Sequence, residues 1–334
     1  MKNILLIGGT GFIGRHLIEQ LNKEHNQLIL FSRNAPTFEL PQGVLTIQGN
    51  RMHLKNYRAQ FELFKPDVVV DLIPYSQQDA EDLLEVFQGI TSHIIALSSA
   101  DVYKAYQIFH GSGEAVIPGV LNEKSELRTK MFPYRQPEQF NDLMYDYEKI
   151  QVEQTLLGNG NIDVTILRMA ALYGEHDTHK KLSAYIRPML TGETEILIPE
   201  HKAHWRWTRA YVKDAVRAID LAISEPAARN EVFNVGAAKT YSQFEIIELL
   251  KALTGWKGEI ITVKQNIISD APNEFEEELT KDEYDYGQHL VVNSQKIRDM
   301  LGYKESVPYI IGIDKTIAYE KSLVDNEKQT QESE

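Results

Sequence analysis

Gly8-Gly9-Thr10-Gly11-Phe12-Ile13-Gly14 follows the apolar run Ile4-Leu5-Leu6-Ile7 and leads into a segment where Ile13, Leu17, Ile18 and Leu21 recur at helical spacing. A buried strand that turns through glycines into a helix is the opening of a nucleotide-binding βαβ unit. Glycines allow the tight turn and let a pyrophosphate approach the backbone, and the helix N-terminus adds N–H donors and a favourable dipole. The residues expected against the phosphates are Gly8, Thr10, Gly11, Phe12, Ile13 and Gly14.

The rest of the first half keeps the same rhythm. Residues 28–31, 44–47, 68–73, 94–97 and 162–167 read as strands, and residues 54–64, 78–87 and 140–157 as helices. Such alternation means an α/β fold with a parallel sheet covered by helices. Residues 104–139 interrupt it with glycines and prolines and no clear period. Loops of this length in compact domains are functional or disordered. Beyond Gly174 the pattern loosens. Helices are expected over 212–223 and 241–253, and strands over 232–235 and 259–263. Residues 270–285 read as an acidic solvated loop, and the last ten as a frayed polar tail.

Composition removes whole classes of function. The net charge of −13 argues against nucleic acid as the main partner. The absence of cysteine excludes disulfides, thiolate metal sites and a thiol nucleophile. The N-terminal apolar run is too short for a signal peptide and no stretch approaches a membrane span, so the expectation is a soluble, cytoplasmic protein.

After the second strand comes Phe31-Ser32-Arg33-Asn34, without the carboxylate that bonds a ribose 2′-hydroxyl in many NAD enzymes. Arg33 and Ser32 suit a 2′-phosphate, which favours NADP(H), with NAD(H) the alternative. The bland alternative for Arg33 is a solvated charge. Asn50-Arg51, after the third strand, reads either as a contact to the adenine edge or as an ordinary turn.

Tyr145 and Lys149 are four apart on the helix expected over 140–157, which places both on one face. An ammonium beside a phenol stabilises the phenolate, and such a tyrosine serves as acid or base near neutral pH; the bland alternative is a packed, solvated pair, with Ser98 and Ser99 as turn formers. Ser98-Ser99 ends the strand at 94–97, on the sheet edge where ligands bind in open parallel sheets. A hydroxyl there can polarise a substrate oxygen. His176 and His179 lack a clear third ligand and read as a solvated loop, so no metal is expected. In the segment 201–209, Trp207 and Arg209 are candidates for an anionic or ring-bearing ligand, with packing as the equal alternative.

Taken together, the glycine loop, Ser98-Ser99-Ala100-Asp101-Val102-Tyr103 and Tyr145 to Lys149 resemble the short-chain dehydrogenase/reductase superfamily, in its extended, epimerase/dehydratase-like branch. Leu167-Arg168, Leu172-Tyr173-Gly174, Tyr211-Val212-Lys213-Asp214 and Phe233-Asn234-Val235-Gly236 extend the resemblance to about residue 240. It implies a Rossmann-type, doubly wound NAD(P)-binding domain over 1–170, with returning segments about 203–236. It also implies a smaller C-terminal substrate domain built from 171–202 and 237–325, leaving 326–334 as the tail. Carried over by position, Tyr145 is the acid/base, and Lys149 holds the nicotinamide ribose and tunes Tyr145. Ser99, rather than Ser98, is the catalytic hydroxyl, and Ser99, Tyr103, Trp207 and Arg209 face the substrate.

The implied activity is an oxidoreductase, epimerase or dehydratase acting at a carbinol or carbonyl carbon of a small molecule. Many relatives are homodimers. The long separation of Ser99 from Tyr145 resembles an atypical branch that includes chloroplast stem-loop-binding proteins. Met169-Ala170-Ala171 stands where sugar-nucleotide enzymes carry an asparagine, which counts against a nucleotide-sugar substrate. A dinucleotide-sensing regulator and an RNA-binding protein are the alternatives on the same fold.

Overall fold

The apolar runs of the first half are hydrophobic at every position, which a strand accepts only where both of its faces are covered. The computed structural model describes residues 1–135, 144–264 and 284–333, and in it these runs form the centre of the fold. In chain order the elements are β1 (Asn3–Ile7), α1 (Phe12–Lys23), β2 (Gln27–Ser32), β3 (Leu45–Gln48), α2 (Arg58–Phe64), β4 (Val68–Asp71), α3 (Gln77–Phe87), β5 (His93–Ser99), α4 (Lys104–Phe109), α5 (Lys149–Leu157) and β6 (Asp163–Met169). There follow β7 (Ala171–Tyr173), α6 (Ser183–Thr191), β8 (Glu195–Pro199), α7 (Glu200–His204), β9 (Arg209–Tyr211), α8 (Val212–Ser224), β10 (Glu231–Val235), α9 (Gln243–Thr254), β11 (Glu259–Val263), α10 (Gln295–Leu301) and α11 (Tyr309–Ser333).

Seven strands pair in the order β10-β6-β5-β4-β1-β2-β3, all parallel. This is a Rossmann-type, doubly wound sheet. Its order reverses between β1 and β4, and the crevice for a ligand lies beyond the carboxyl ends of the strands at that reversal. Alternate residues of β1 enter opposite cores. Ile4 and Leu6 join Leu17, Leu21 and Ile219, whereas Leu5 and Ile7 join Leu83, Phe87, Val152 and Leu156. Each such side chain contributes about 1.5–3 kcal/mol on burial. A separate core of Tyr173, Tyr185, Ile186, Ile198, Ile246 and Ile313 forms around α6, β8 and α9.

The aperiodic stretch after β5 is pinned to the fold. Tyr103, Phe109 and Leu121 share a buried cluster with Trp205 and Leu290. The Lys104 amide donates to the Glu126 carbonyl at 2.9 Å and the Arg128 amide to the Val102 carbonyl at 2.8 Å. Its first residues form α4, where a loop is expected from sequence.

Three expectations change. Of the helix expected over 140–157, residues 140–143 lie outside the described residues; among those described it starts at Lys149, and Tyr145 lies in a turn ahead of it. The Glu148 carboxylate caps that start by accepting the Ile150 amide at 3.0 Å, and the Glu148 amide donates to the Tyr75 carbonyl at 2.8 Å. The helix expected over 54–64 divides at Tyr57 into a 3-10 turn and α2. The polar C-terminus continues α11 as far as Ser333, because Ile313, Ile317 and Val324 bury its apolar side and Arg187 of α6 pairs with Glu320 and Glu327. The acidic loop expected over 270–285 lies, but for Tyr284 and Asp285, outside the described residues.

Candidate active site at the carboxyl edge of the sheet

The glycine loop joins β1 to α1 where the strand order reverses. Gly8 has φ +82°, a conformation that L side chains rarely adopt. A Cβ built on Gly14 would lie 2.3 Å from the Gly9 carbonyl oxygen and 2.4 Å from Gly9 Cα, so Gly14 is what lets α1 start against the loop. A Cβ on Gly11 meets only the Gly8 carbonyl oxygen, at 4.0 Å. Gly11 is exposed at the N-cap of α1, where no side chain caps the helix and no acidic residue sits in the first turn. Open space over uncapped N–H groups suits a pyrophosphate. Thr10, Phe12 and Ile13 are half-buried around it.

The second part of the site forms at the ends of β4 and β5. Strand alternation turns Ser98 inward, where its hydroxyl donates to Glu153 at 2.5 Å, and Arg168 closes a buried ion pair with the same carboxylate at 2.6 Å. Ser99 is half-buried on the other face and accepts the Asp101 amide at 3.2 Å. The Lys149 ammonium is buried at the first residue of α5 and donates to the carbonyls of Pro74 (2.7 Å) and Leu97 (2.8 Å). Burial pushes its pKa down to about 8, against the pull of Asp71 and Asp101.

The tyrosine ring beside Lys149 is Tyr147, whose centroid is 5.6 Å from the ammonium. The Tyr147 hydroxyl donates to Asp101 Oδ2 at 2.7 Å, and the Tyr134 hydroxyl reaches the same oxygen at 3.1 Å. Burial, then the Asp101 charge, raise the Tyr147 phenol well above its ordinary pKa, and a hydrogen-bonding contact with the Ser99 side chain opposes them. Burial likewise raises the Asp101 carboxyl, against its bond from Tyr147. Tyr145 sits instead under the Arg135 guanidinium, 4.6 Å from its ring centroid. With the helix starting at Lys149, the shared face expected for Tyr145 and Lys149 does not form.

Of the remaining sequence candidates, Ser32 is buried at the end of β2, its hydroxyl donating to the Asn34 carbonyl at 2.9 Å. Arg33 beside it is exposed, with no ion pair among the described residues. Asn50 accepts the Met52 amide at 3.0 Å and so caps the 3-10 turn that follows. Arg51 is drawn inward to Asp71 at 2.6 Å and Asp79 at 2.7 Å. Burial opposes its charge, but those two carboxylates more than offset it and raise its pKa. Its guanidinium is therefore held by two carboxylates of the fold itself.

Tyr103 is fully buried, donating to Asn234 at 2.6 Å and accepting from Arg168 at 3.0 Å, so its hydroxyl belongs to the interior rather than to a substrate cleft. Trp207 donates its indole N–H to the Tyr106 hydroxyl at 3.3 Å. The buried Arg209 guanidinium packs 5.2 Å from the Trp207 ring and donates to Gln243 at 2.7 Å. Its Nε is buried without a hydrogen-bond partner among the described residues. Tyr106 and Asp101 also line a cavity of ≈ 70 Å³, together with Gln107, His110, Arg128 and Tyr134. Trp205 stacks on Phe109 at 4.7 Å as a packing anchor. His176 contacts Tyr319 at 3.0 Å and Arg15 at 3.3 Å, and no metal-binding cluster of His, Asp or Glu occurs among the described residues.

Sequence reasoning did not single out Tyr147, whose ring lies beside Lys149, or Glu148, which caps α5. The Tyr-x-x-x-Lys spacing drew attention to Tyr145, and Glu148 is not among the side chains that commonly cap helices.

The chain is 24% identical over 326 residues to the chloroplast stem-loop binding protein of 41 kDa b of Arabidopsis thaliana, covering 93% of this chain and 77% of that protein. It is 26% identical over 285 residues to a putative UDP-glucose 4-epimerase of Methanocaldococcus jannaschii, covering 77% and 84% respectively. A UDP-glucuronic acid 4-epimerase from Bacillus cereus, solved in complex with UDP-glucuronic acid and NAD, has the same fold, with a TM-score of 0.67 at 19% identity over 96% of this chain and 99% of that one. No helix among the described residues is long and apolar enough to cross a membrane. The sequence model of the NAD dependent epimerase/dehydratase family matches residues 4–236. That span runs from β1 through β10 and takes in the whole seven-stranded sheet, so the chain belongs to the NAD-dependent epimerase/dehydratase family.

Proposed function

We propose that the protein is an NAD(P)-dependent enzyme acting at a carbinol or carbonyl carbon of a small molecule. The dinucleotide would lie from the glycine loop, over the end of β2, to Lys149 and Ser99. The observation that carries this is Lys149. A buried ammonium whose hydrogen-bond partners among the described residues are two backbone carbonyls sits at the carboxyl edge of a parallel sheet, one strand across from an open glycine loop. Ordinary packing has no use for such a charge, whereas a ribose diol gives it further acceptors. When bound, the nicotinamide accepts or returns an electron pair with one hydrogen. Ser99 would orient the substrate oxygen, and a tyrosine of the 145–149 segment would move its proton. Trp207 and Arg209 are proposed as substrate contacts, supported by the unpartnered Nε of a buried guanidinium.

Arg33, exposed at the end of β2 beside Ser32, supports NADP(H) as the preferred cofactor. Titration with NADPH and with NADH, followed by nicotinamide fluorescence, is expected to show tighter binding of NADPH. Arg33→Ala removes a charge-assisted contact worth about 1.5–3 kcal/mol, so NADPH affinity falls about tenfold to a hundredfold while NADH affinity stays level. Equal weakening of both would remove Arg33 from the 2′-phosphate. Binding of neither by the folded protein would end the enzyme reading.

A further inference from the structure

We propose that Arg51 is a positioning residue for Lys149: through Asp71 and Asp79 it fixes the connection from β4 to α3, whose Pro74 carbonyl seats the ammonium. This rests on the cofactor reading above, in which Lys149 holds the nicotinamide ribose. The Arg51 guanidinium forks between the two carboxylates that bracket the connection. It reaches Asp71 at the end of β4 at 2.6 Å and Asp79 in the first turn of α3 at 2.7 Å, and it donates to the Asp79 carbonyl at 3.2 Å. Each carboxylate passes the constraint on. Asp71 Oδ1 accepts the Ile73 amide at 3.1 Å, and Asp79 Oδ2 accepts the amides of Tyr75 at 2.9 Å and Ser76 at 3.0 Å. Pro74 has no N–H to place. Every N–H of residues 73–76 therefore ends on a carboxylate that Arg51 holds, and two carbonyls of the same segment serve the start of α5. Pro74 accepts the Lys149 ammonium at 2.7 Å, and Tyr75 accepts the Glu148 amide at 2.8 Å.

The same guanidinium balances the charge around Lys149. Asp71 of β4, Asp79 of α3 and Asp101 beyond β5 act on the ammonium, and the rings of Tyr75 and Tyr147 are centred 5.1 and 5.6 Å from it. The three carboxylates favour the charged lysine, while Arg51 joins burial in opposing it. Without Arg51, Asp71 and Asp79 would act on Lys149 unopposed, so the ammonium would hold its proton to higher pH. Losing Asp79 instead would leave Arg51 in excess, so Lys149 would give up its proton at lower pH. A guanidinium that only filled space beside α3, or only touched an adenine, would produce no such pair of opposite effects in the free protein.

The test needs no known substrate. The full chain, labelled with ¹³C at lysine Cε, is titrated from neutral to alkaline pH without cofactor, and Lys149→Arg assigns the Lys149 signal. The wild-type midpoint is expected at about 8. It should rise in Arg51→Met, return toward the wild-type value in Arg51→Lys, which restores the charge, and fall in Asp79→Asn. NADPH titration, followed by nicotinamide fluorescence, should show affinity about tenfold weaker in Arg51→Met, because the seat of the ribose is no longer fixed. Should Arg51→Met fail to fold, the fall in Asp79→Asn carries the test, since Asp79 is the more exposed of the two carboxylates. A Lys149 midpoint that stays in place in the folded variants, or that moves the same way in Arg51→Met and Asp79→Asn, would overturn the proposal. So would unchanged NADPH affinity in a folded Arg51→Met. Opposite midpoint shifts in a protein whose wild type binds no dinucleotide would uphold the hold of Arg51 on Lys149 and remove the cofactor reading alone.

Discussion

Glu148→Gln is expected to cost the protein about 3 kcal/mol or more of stability, a large share of the 5–15 kcal/mol typical of a folded protein. Glu148 makes two hydrogen bonds to Arg128, at 2.6 and 2.7 Å, with side-chain exposures of 0% and 2%. It also accepts the Phe132 amide at 2.7 Å and the Ile150 amide at 3.0 Å. One carboxylate therefore ties the long stretch after β5 to the start of α5, beside Lys149. Removing its charge leaves the Arg128 guanidinium buried and unpaired, and that penalty dominates. The check is a denaturant titration. The midpoint should fall sharply for Glu148→Gln and recover in large part in the double variant Arg128→Met/Glu148→Met, where no charge is left stranded. A single variant within about 0.5 kcal/mol of the wild type would mean that water reaches the pair and that the stretch is not fastened there.

The second large effect is on binding, and two neighbouring glycines should part company. Gly11→Ala places a methyl group in open space over the N-terminus of α1, where the nearest heavy atom is the Gly8 carbonyl oxygen at 4.0 Å. Gly11 has φ −86°, which alanine adopts freely. Stability should stay level, while dinucleotide affinity falls about a hundredfold because the methyl occupies the space of the phosphates. Gly14→Ala drives a methyl into the Gly9 backbone at 2.3–2.4 Å, so α1 must retreat from the loop. It should lose both binding and about 1–3 kcal/mol of stability. Melting curves beside cofactor titrations separate the cases. Undiminished affinity in Gly11→Ala would move the phosphates off this loop.

How far the sequence foretold the structure depended on whether local pattern or distant partners decided each residue. The strands of the main sheet could be read because a strand covered on both faces must be apolar throughout, as in Ile4 to Ile7 and Val68 to Val70. The glycine loop could be read because its requirement is a lack of side chains. Helix starts set by distant groups could not. Glu148 caps α5 through contacts with Arg128, twenty residues away, and with the Tyr75 carbonyl. That start displaced the four-residue spacing of Tyr145 and Lys149 from any shared helical face. Arg51 shows the same effect, since nothing near it in sequence reveals that Asp71 and Asp79 draw it inward. The helical C-terminus was hidden for a related reason. A polar segment looks frayed until the helix it packs on, here α6 with Arg187, is known.

A structure determined with NADP⁺ at saturating concentration tests the central claim most directly. The expected result places the pyrophosphate over Gly11 at the N-terminus of α1 and the 2′-phosphate at Ser32 and Arg33. It puts the nicotinamide ribose at Lys149, and the ring within reach of Ser99 and a tyrosine of the 145–149 segment. A dinucleotide bound elsewhere, or one whose nicotinamide end lies away from Lys149, would contradict the account.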